Sequence, residues 1–268
     1  MSEPSGSGHV DLDGPGVSIA EVVAVARHDA SVTLTEGAIE RMSRSRQVVE
    51  RLAEGEPKYG ISTGFGALAN VSIPPERRRD LQTALVRSHA AGMGDPVENE
   101  VVRAMILLRA RTLALGSSGA RPLVAQAMID LLNAQITPMV PEYGSLGASG
   151  DLAPLAHGAL ALLGEGQVFY ADAWRPAAEA LDAAGLAPIS LVEKEGLAVT
   201  NGTDAILGML CLAIDDSERL LQQADMVTAL TVEGLLATDG PFAADLQALR
   251  PQPGQAISAA NLRALLHD

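Results

Sequence analysis

The stretch from residue 203 to about 237 reads as one long helix, and that reading fixes the class of fold. Asp204 stands near its start, where a carboxylate favours the positive end of a helix, and an apolar face runs its length. The rest of the chain follows the same pattern. Residues 17–27 predict a short helix with Ser18 near its cap. Thr35 can cap a second helix, whose apolar stripe is Ala38, Met42, Val49 and Leu52 and which stops near Gly55. Helical spacing of apolar residues returns at about 76–91, 97–115 and 121–135. Pro154 is tolerated only in a first turn, so another helix should begin near Asp151. Residues 167–170 predict a short strand, and 179–184, 243–249 and 256–266 short helices. Residues 1–16, rich in Gly, Ser and Asp, read as a flexible tail, and 56–74 as a glycine-rich loop. With no repeat and no interdomain linker, the expected fold is mainly α.

Composition supports this. The 268 residues are 47% hydrophobic but only 3% aromatic, so the core must be built of Ala, Leu and Val, which favours close helix packing. The net charge of −14 argues against nucleic-acid and anionic-membrane partners. The basic cluster Arg77-Arg78-Arg79 reads as the solvated face of a helix start. The lone Cys211 lies in an apolar run and reads as buried packing, which suits a reduced, cytoplasmic compartment. No signal-peptide pattern, membrane-spanning stretch or Cys/His pair with metal-ligand spacing is seen.

The chemistry concentrates in Gly144-Ser-Leu-Gly-Ala-Ser-Gly-Asp-Leu-Ala-Pro-Leu-Ala-His157. Such a run can be a plain loop leading into a helix. As a phosphate loop it is weak, because no Gly-Lys-Ser/Thr follows. Its residue types also suit a backbone cyclisation that makes an electrophile no ordinary side chain supplies. The nitrogen of Gly150, unhindered by a Cβ, can attack the carbonyl carbon of the small Ala148. Loss of water from that ring and of the Ser149 hydroxyl leaves an imidazolone with an exocyclic methylene. Asp151 stands beside it and could move protons. His157 reads mainly as a buried structural residue, and His9, His28 and His267 as solvated.

Three further segments complete the pattern: Tyr59-Gly-Ile-Ser-Thr-Gly-Phe-Gly66, Leu85-Val-Arg-Ser88-His89, and Lys194-Glu-Gly-Leu-Ala-Val-Thr-Asn201-Gly-Thr203. Together with the Ala-Ser-Gly run, the chain resembles the aromatic amino acid lyases: the histidine, phenylalanine and tyrosine ammonia-lyases. The segments 109–119 and 242–254 also look family-like, the second through packing. The resemblance implies that Ala148-Ser149-Gly150 becomes a 4-methylidene-imidazol-5-one (MIO) group, without metal or nucleotide, at the start of a helical-bundle fold. It implies that Tyr59 is the catalytic base, although a phenol with an ordinary pKa of about 10 needs its site to lower it. It implies that Asn201, otherwise a helix cap, bonds the MIO group or the amino acid moiety of the substrate. It implies that the substrate ring is met by the dipeptide Ser88-His89, which is typical of the histidine-specific branch. An imidazole side chain suits an imidazole substrate, although a histidine near a helix end can also be a cap.

The implied reaction is therefore elimination of ammonia from L-histidine to give trans-urocanate. The substrate amine would add to the methylene, Tyr59 would remove a β-proton, and C–N cleavage would follow. The ring-forming segment would sit at the helix N-termini near Asp151 and Thr203. The alternatives are a tyrosine or phenylalanine ammonia-lyase, an aminomutase of the same family, or an inert fragment. Residues 17–268 are expected to form a lyase domain truncated on its C-terminal side, the family being about twice this length. The arginine that binds the substrate carboxylate would then lie beyond Asp268, and apolar surface meant for a homotetramer would be exposed on the 203–237 helix.

Overall fold

A computed structural model describes residues 8–14, 16–147 and 149–267. In chain order they form β1 (His9–Leu12), α1 (Ile19–His28), β2 (Ser31–Leu34), α2 (Glu36–Ala53), α3 (Arg78–His89), β3 (Met93–Pro96) and α4 (Asn99–Ala114). Then follow α5 (Pro122–Asn133), β4 (Thr137–Pro138), β5 (Pro141–Tyr143), α6 (Leu152–Leu162), β6 (Gln167–Tyr170) and β7 (Ala173–Pro176). The last elements are α7 (Ala177–Ala183), α8 (Glu195–Thr200), α9 (Asp204–Gly234), α10 (Ala244–Ala248) and α11 (Pro253–Leu265). The chain divides into two compact units, 1–212 and 213–268, so α9 contributes residues to both.

The first unit is organised around α4, which is buried on nearly every side and packs against α1, α2, α5 and α6. Its weak amphipathicity follows from that position, since a helix covered all round needs no polar face. Leu107, at its middle, is 0% exposed. Replacing it with alanine should cost about 2–5 kcal/mol of stability, read from the shift in a urea unfolding curve. Three small sheets fringe the helices: a parallel β1–β2 pair, an antiparallel β3–β5 pair, and an antiparallel β4–β6–β7 sheet.

The helices expected at 17–27, 76–91, 97–115 and 121–135 are present, and β6 spans the expected residues. Ser18 caps α1 in a reciprocal box with Glu21, its own N–H donating to Glu21 Oε2 at 2.7 Å. Thr35 caps α2 by accepting from Ala38 N at 3.2 Å. The supposed tail differs. Residues 9–12 form β1, in parallel register with β2, and Val10 and Leu12 are buried. His9-Val10-Asp11-Leu12 alternates polar and apolar, which is the strand pattern, but four residues are too few to stand out in a Gly- and Asp-rich stretch. Residues 1–7 of that expectation lie outside the described residues. Arg78 also departs from a purely solvated cluster: it donates to the carbonyls of Ala53 and Ile73. Cys211 is buried as expected, and burial pushes its thiol up.

In the second unit, Asn261 Nδ2 donates to Asp225 Oδ2 at 2.8 Å, and Arg263 holds the carbonyl of Phe242. Large apolar side chains there are open to solvent, including Leu220, Leu230, Leu236, Leu249 and Ile257. No helix among the described residues is long and apolar enough to cross a membrane.

Candidate active site

Proline and glycine interrupt the chain between α5 and α6, and the break brings Gly150 and Asp151 onto the turn that joins α8 to α9. Gly150 forms an isolated parallel bridge with Gly202, and Asp151 N donates to Gly202 O at 3.1 Å. A tight local turn accompanies this: Leu146 N donates to Gly150 O at 2.9 Å, and Asp151 N also reaches Ser149 O at 3.0 Å. Gly150 has φ +67°, and a Cβ there would lie 3.1 Å from Ile206 Cδ1 and 3.3 Å from Thr203 Cγ2. The left-handed backbone therefore favours glycine, and a Cβ would press on both neighbours. Ser149 is half-buried. Ala148 lies outside the described residues.

Asp151 is fully buried and serves two helices. It is the N-cap residue of α6, and its Oδ2 accepts from Ile206 N, in the first turn of α9, at 2.9 Å. Gly150 and Asp151 thus lie where two helices begin, as the sequence suggested, and the Asp151 carboxylate takes one of the N–H groups at the positive end of α9.

Ser88 and His89 end α3 and face the same cleft as Gly150. That cleft encloses about 560 Å³ and is also lined by Glu142, Tyr143 and Leu146. His89 Nδ1 lies 2.9 Å from Leu85 O and 3.0 Å from Ser88 Oγ, and the Ser88 hydroxyl donates to Leu85 O at 2.9 Å. A carbonyl can only accept, so Nδ1 carries the proton and a neutral ring presents Nε2 as an acceptor.

Tyr59 and Asn201 are not among the residues lining that cleft. Tyr59 stands in the glycine-rich loop, 54% exposed, in edge contact with Phe65, and its Oη accepts from Gly66 N at 3.4 Å. The loop is tied down by Lys58 N to Ser62 Oγ at 3.0 Å and Ile73 N to Ser62 O at 2.8 Å. It also touches α8: a Cβ on Gly60 would lie 3.2 Å from Leu197 Cδ2. Asn201 caps the C-terminus of that helix with an exposed side chain, so Tyr59 and Asn201 belong to neighbouring elements.

Sequence reasoning gave no such role to the groups that hold this arrangement, reading Asp204 only as a helix-start carboxylate and residues 109–119 only as family-like. Arg109, buried in α4, donates to the carbonyls of Ala198 (3.1 Å) and Asn201 (3.0 Å) and pairs with buried Asp204. Glu195, 0% exposed, accepts from Val192 N, Arg121 N and the Arg121 guanidinium, pinning the start of α8. The one available signal was a charged residue inside an otherwise apolar helical run.

His157 is structural, as expected. Its Nε2 accepts from Gly92 N at 3.1 Å, joining α6 to the turn after His89, and burial lowers its pKa. The unfolded chain therefore binds this proton more readily than the folded one. Stability is complete above the ordinary imidazole value of about 6.5 and falls as the pH drops through it towards the lower folded value. The midpoint of urea unfolding should decline over that acidic window, and His157→Gln, which keeps an acceptor for Gly92, should flatten the decline.

Residues 17–268 match the family described as aromatic amino acid lyase. The chain is similar to the histidine ammonia-lyase of Streptomyces coelicolor, at 56% identity over 94% of this chain and 49% of the relative. The same enzyme of Deinococcus radiodurans is 47% identical over 93% of this chain and 48% of its own length. Among solved structures, histidine ammonia-lyase from Trypanosoma cruzi superposes with a TM-score of 0.89 at 35% identity, over 97% of this chain and 51% of that one. Tyrosine aminomutase from Streptomyces globisporus also gives 0.89, at 37% identity over 96% and 49%. The chain thus spans about half the length of the curated relatives it matches.

Proposed function

The chain belongs to the aromatic amino acid lyase family, and from that premise we propose that it carries the electrophile-forming part of a histidine ammonia-lyase. The reaction is release of ammonia from L-histidine to leave trans-urocanate. The observation that carries the choice of substrate is His89, held beside Gly150 in one cleft with Nδ1 committed to Leu85 O. Its Nε2 is left to accept the N–H of a substrate imidazole. A benzene ring offers no such donor, and a site built to pair with its substrate rejects analogues that cannot.

The residues fit an MIO group formed from Ala148-Ser149-Gly150. Gly150 sits in a tight cradle at a left-handed φ that favours glycine, with its backbone held against Gly202. Such a group supplies an electrophilic methylene that takes the substrate amine and turns it into a leaving group. Around it, the Asp151 carboxylate fixes the start of α9 by accepting from Ile206 N. The Asn201 side chain makes no hydrogen bond among the described residues and is available to the group or to the substrate. Tyr59 Oη takes the β-proton. Tyr143, which does line the cleft, is disfavoured as a base, because a hydrogen bond to Glu142 and its charge push that phenol up. Completion of the site by residues beyond this half, assembly as a homotetramer and a cytoplasmic location form part of the same proposal. The exposed leucines of the second unit support the assembly, because large apolar patches mark surfaces that other protein covers.

The deciding assay offers L-histidine, L-tyrosine and L-phenylalanine to the full-length protein and follows the conjugated acid released. Urocanate from histidine alone is expected. Turnover of tyrosine with none of histidine would overturn the role given to Ser88 and His89 and would favour the aminomutase-like relatives.

A further inference from the structure

We infer that Arg109 is a positioning residue whose guanidinium, under the turn between α8 and α9, holds the docking strand on which the Ala-Ser-Gly segment closes its ring. The inference rests on the MIO reading of that segment.

Arg109 is 3% exposed and does not line the cleft. Its Nη1 donates to Ala198 O and Asn201 O, the last carbonyls of α8. Its Nη2 pairs with Asp204, the first residue of α9, and the other carboxylate oxygen of Asp204 accepts from Thr112 Oγ1 at 3.3 Å. One planar cation therefore ties the end of one helix to the start of the next across residues 201–203. A Cβ on Gly202 would overlap Arg109 Nη2 and lie 2.8 Å from its Cζ, so the guanidinium fills the space behind the strand. The same Gly202 carries the Gly150 bridge and accepts the Asp151 N–H. Displacement of the guanidinium moves Gly202, and with Gly202 the nitrogen of Gly150.

Ring closure is sensitive to that displacement. The Gly150 nitrogen bonds to the carbonyl carbon of Ala148, and the carbonyl oxygen leaves as water with the amide hydrogens of Gly150 and Ser149. The second water takes the Ser149 hydroxyl and the hydrogen on its Cα, leaving the methylene, and no oxidant or reductant is needed. Misplacing reacting atoms by about 1 Å slows such steps on the order of 100-fold. Lysine cannot replace the arginine, because one ammonium does not reproduce a planar fork aimed at three acceptors.

The experiment measures the mass of the 142–157 peptide from the folded, monodisperse fraction of the wild-type chain, Arg109→Lys and Leu107→Ala. Leu107 is buried in the same helix and makes none of the hydrogen bonds to the turn, so its variant controls for lost stability. The wild-type and Leu107→Ala peptides should be lighter by two waters. Arg109→Lys should cyclise about 100-fold more slowly and retain both waters in freshly folded protein. Equal dehydration in Arg109→Lys and Leu107→Ala overturns the inference and leaves the MIO reading standing. An unmodified wild-type peptide overturns both. Should Arg109→Lys not fold, Asp204→Asn removes one arm of the clamp; slowed cyclisation there supports the inference, and a wild-type rate overturns it.

Discussion

Ser149→Ala in the full-length protein should lower ammonia release from L-histidine by about 10³–10⁶-fold, the scale seen when a covalently acting residue is removed. Alanine has no hydroxyl to leave, so no exocyclic methylene can form, and the 142–157 peptide can lose at most one water. Stability should stay within about 0.5 kcal/mol of wild type. Ser149 is half-buried, and its one hydrogen bond among the described residues uses its backbone carbonyl, which alanine keeps. Loss of activity with an unchanged unfolding midpoint would separate chemistry from folding. A Ser149→Ala protein that still releases urocanate would remove the basis for an electrophile at this position.

The contrast between Ser149 and the groups beneath it shows what the sequence could reveal. The chemistry proposed for it can be read from the sequence because the residues it would use are neighbours: a small residue, a hydroxyl and a glycine in a row. Ser88 and His89 are neighbours too, and the role proposed for them rests on the family resemblance of that dipeptide. The clamp was not legible, because Arg109 and Asp204 are 95 residues apart and meet only when α4 packs under the α8–α9 turn. Among the secondary elements, α2 and α9 declare themselves by long amphipathic runs and identifiable starts. Helix α8 has six residues, four of them buried, so no polar face alternates with an apolar one to betray it. Strands β1 and β2 are four residues each and gain their stability from pairing across α1, a long-range contact that local pattern does not carry.

Gly202→Ala should destabilise the chain by about 3–5 kcal/mol, the cost of breaking a buried ion pair on one side. The added methyl overlaps the Arg109 guanidinium and the Asp204 carboxylate, both less than 7% exposed, so one of them must lose its partner without reaching water. The position does not call for glycine on backbone grounds, since Gly202 is absent from the residues with positive φ. Gly185 provides the comparison: its φ is +71° and no atom lies within 4 Å of a built Cβ. Gly185→Ala should therefore cost only the left-handed backbone penalty of about 1–2 kcal/mol. Urea unfolding of the two variants side by side measures the difference. A Gly202→Ala variant no less stable than Gly185→Ala would mean that the guanidinium can withdraw from the turn at little cost. The docking strand would then be held by the Gly150–Gly202 bridge and the Asp151 cap alone, and the clamp would have no part in placing the Gly150 nitrogen.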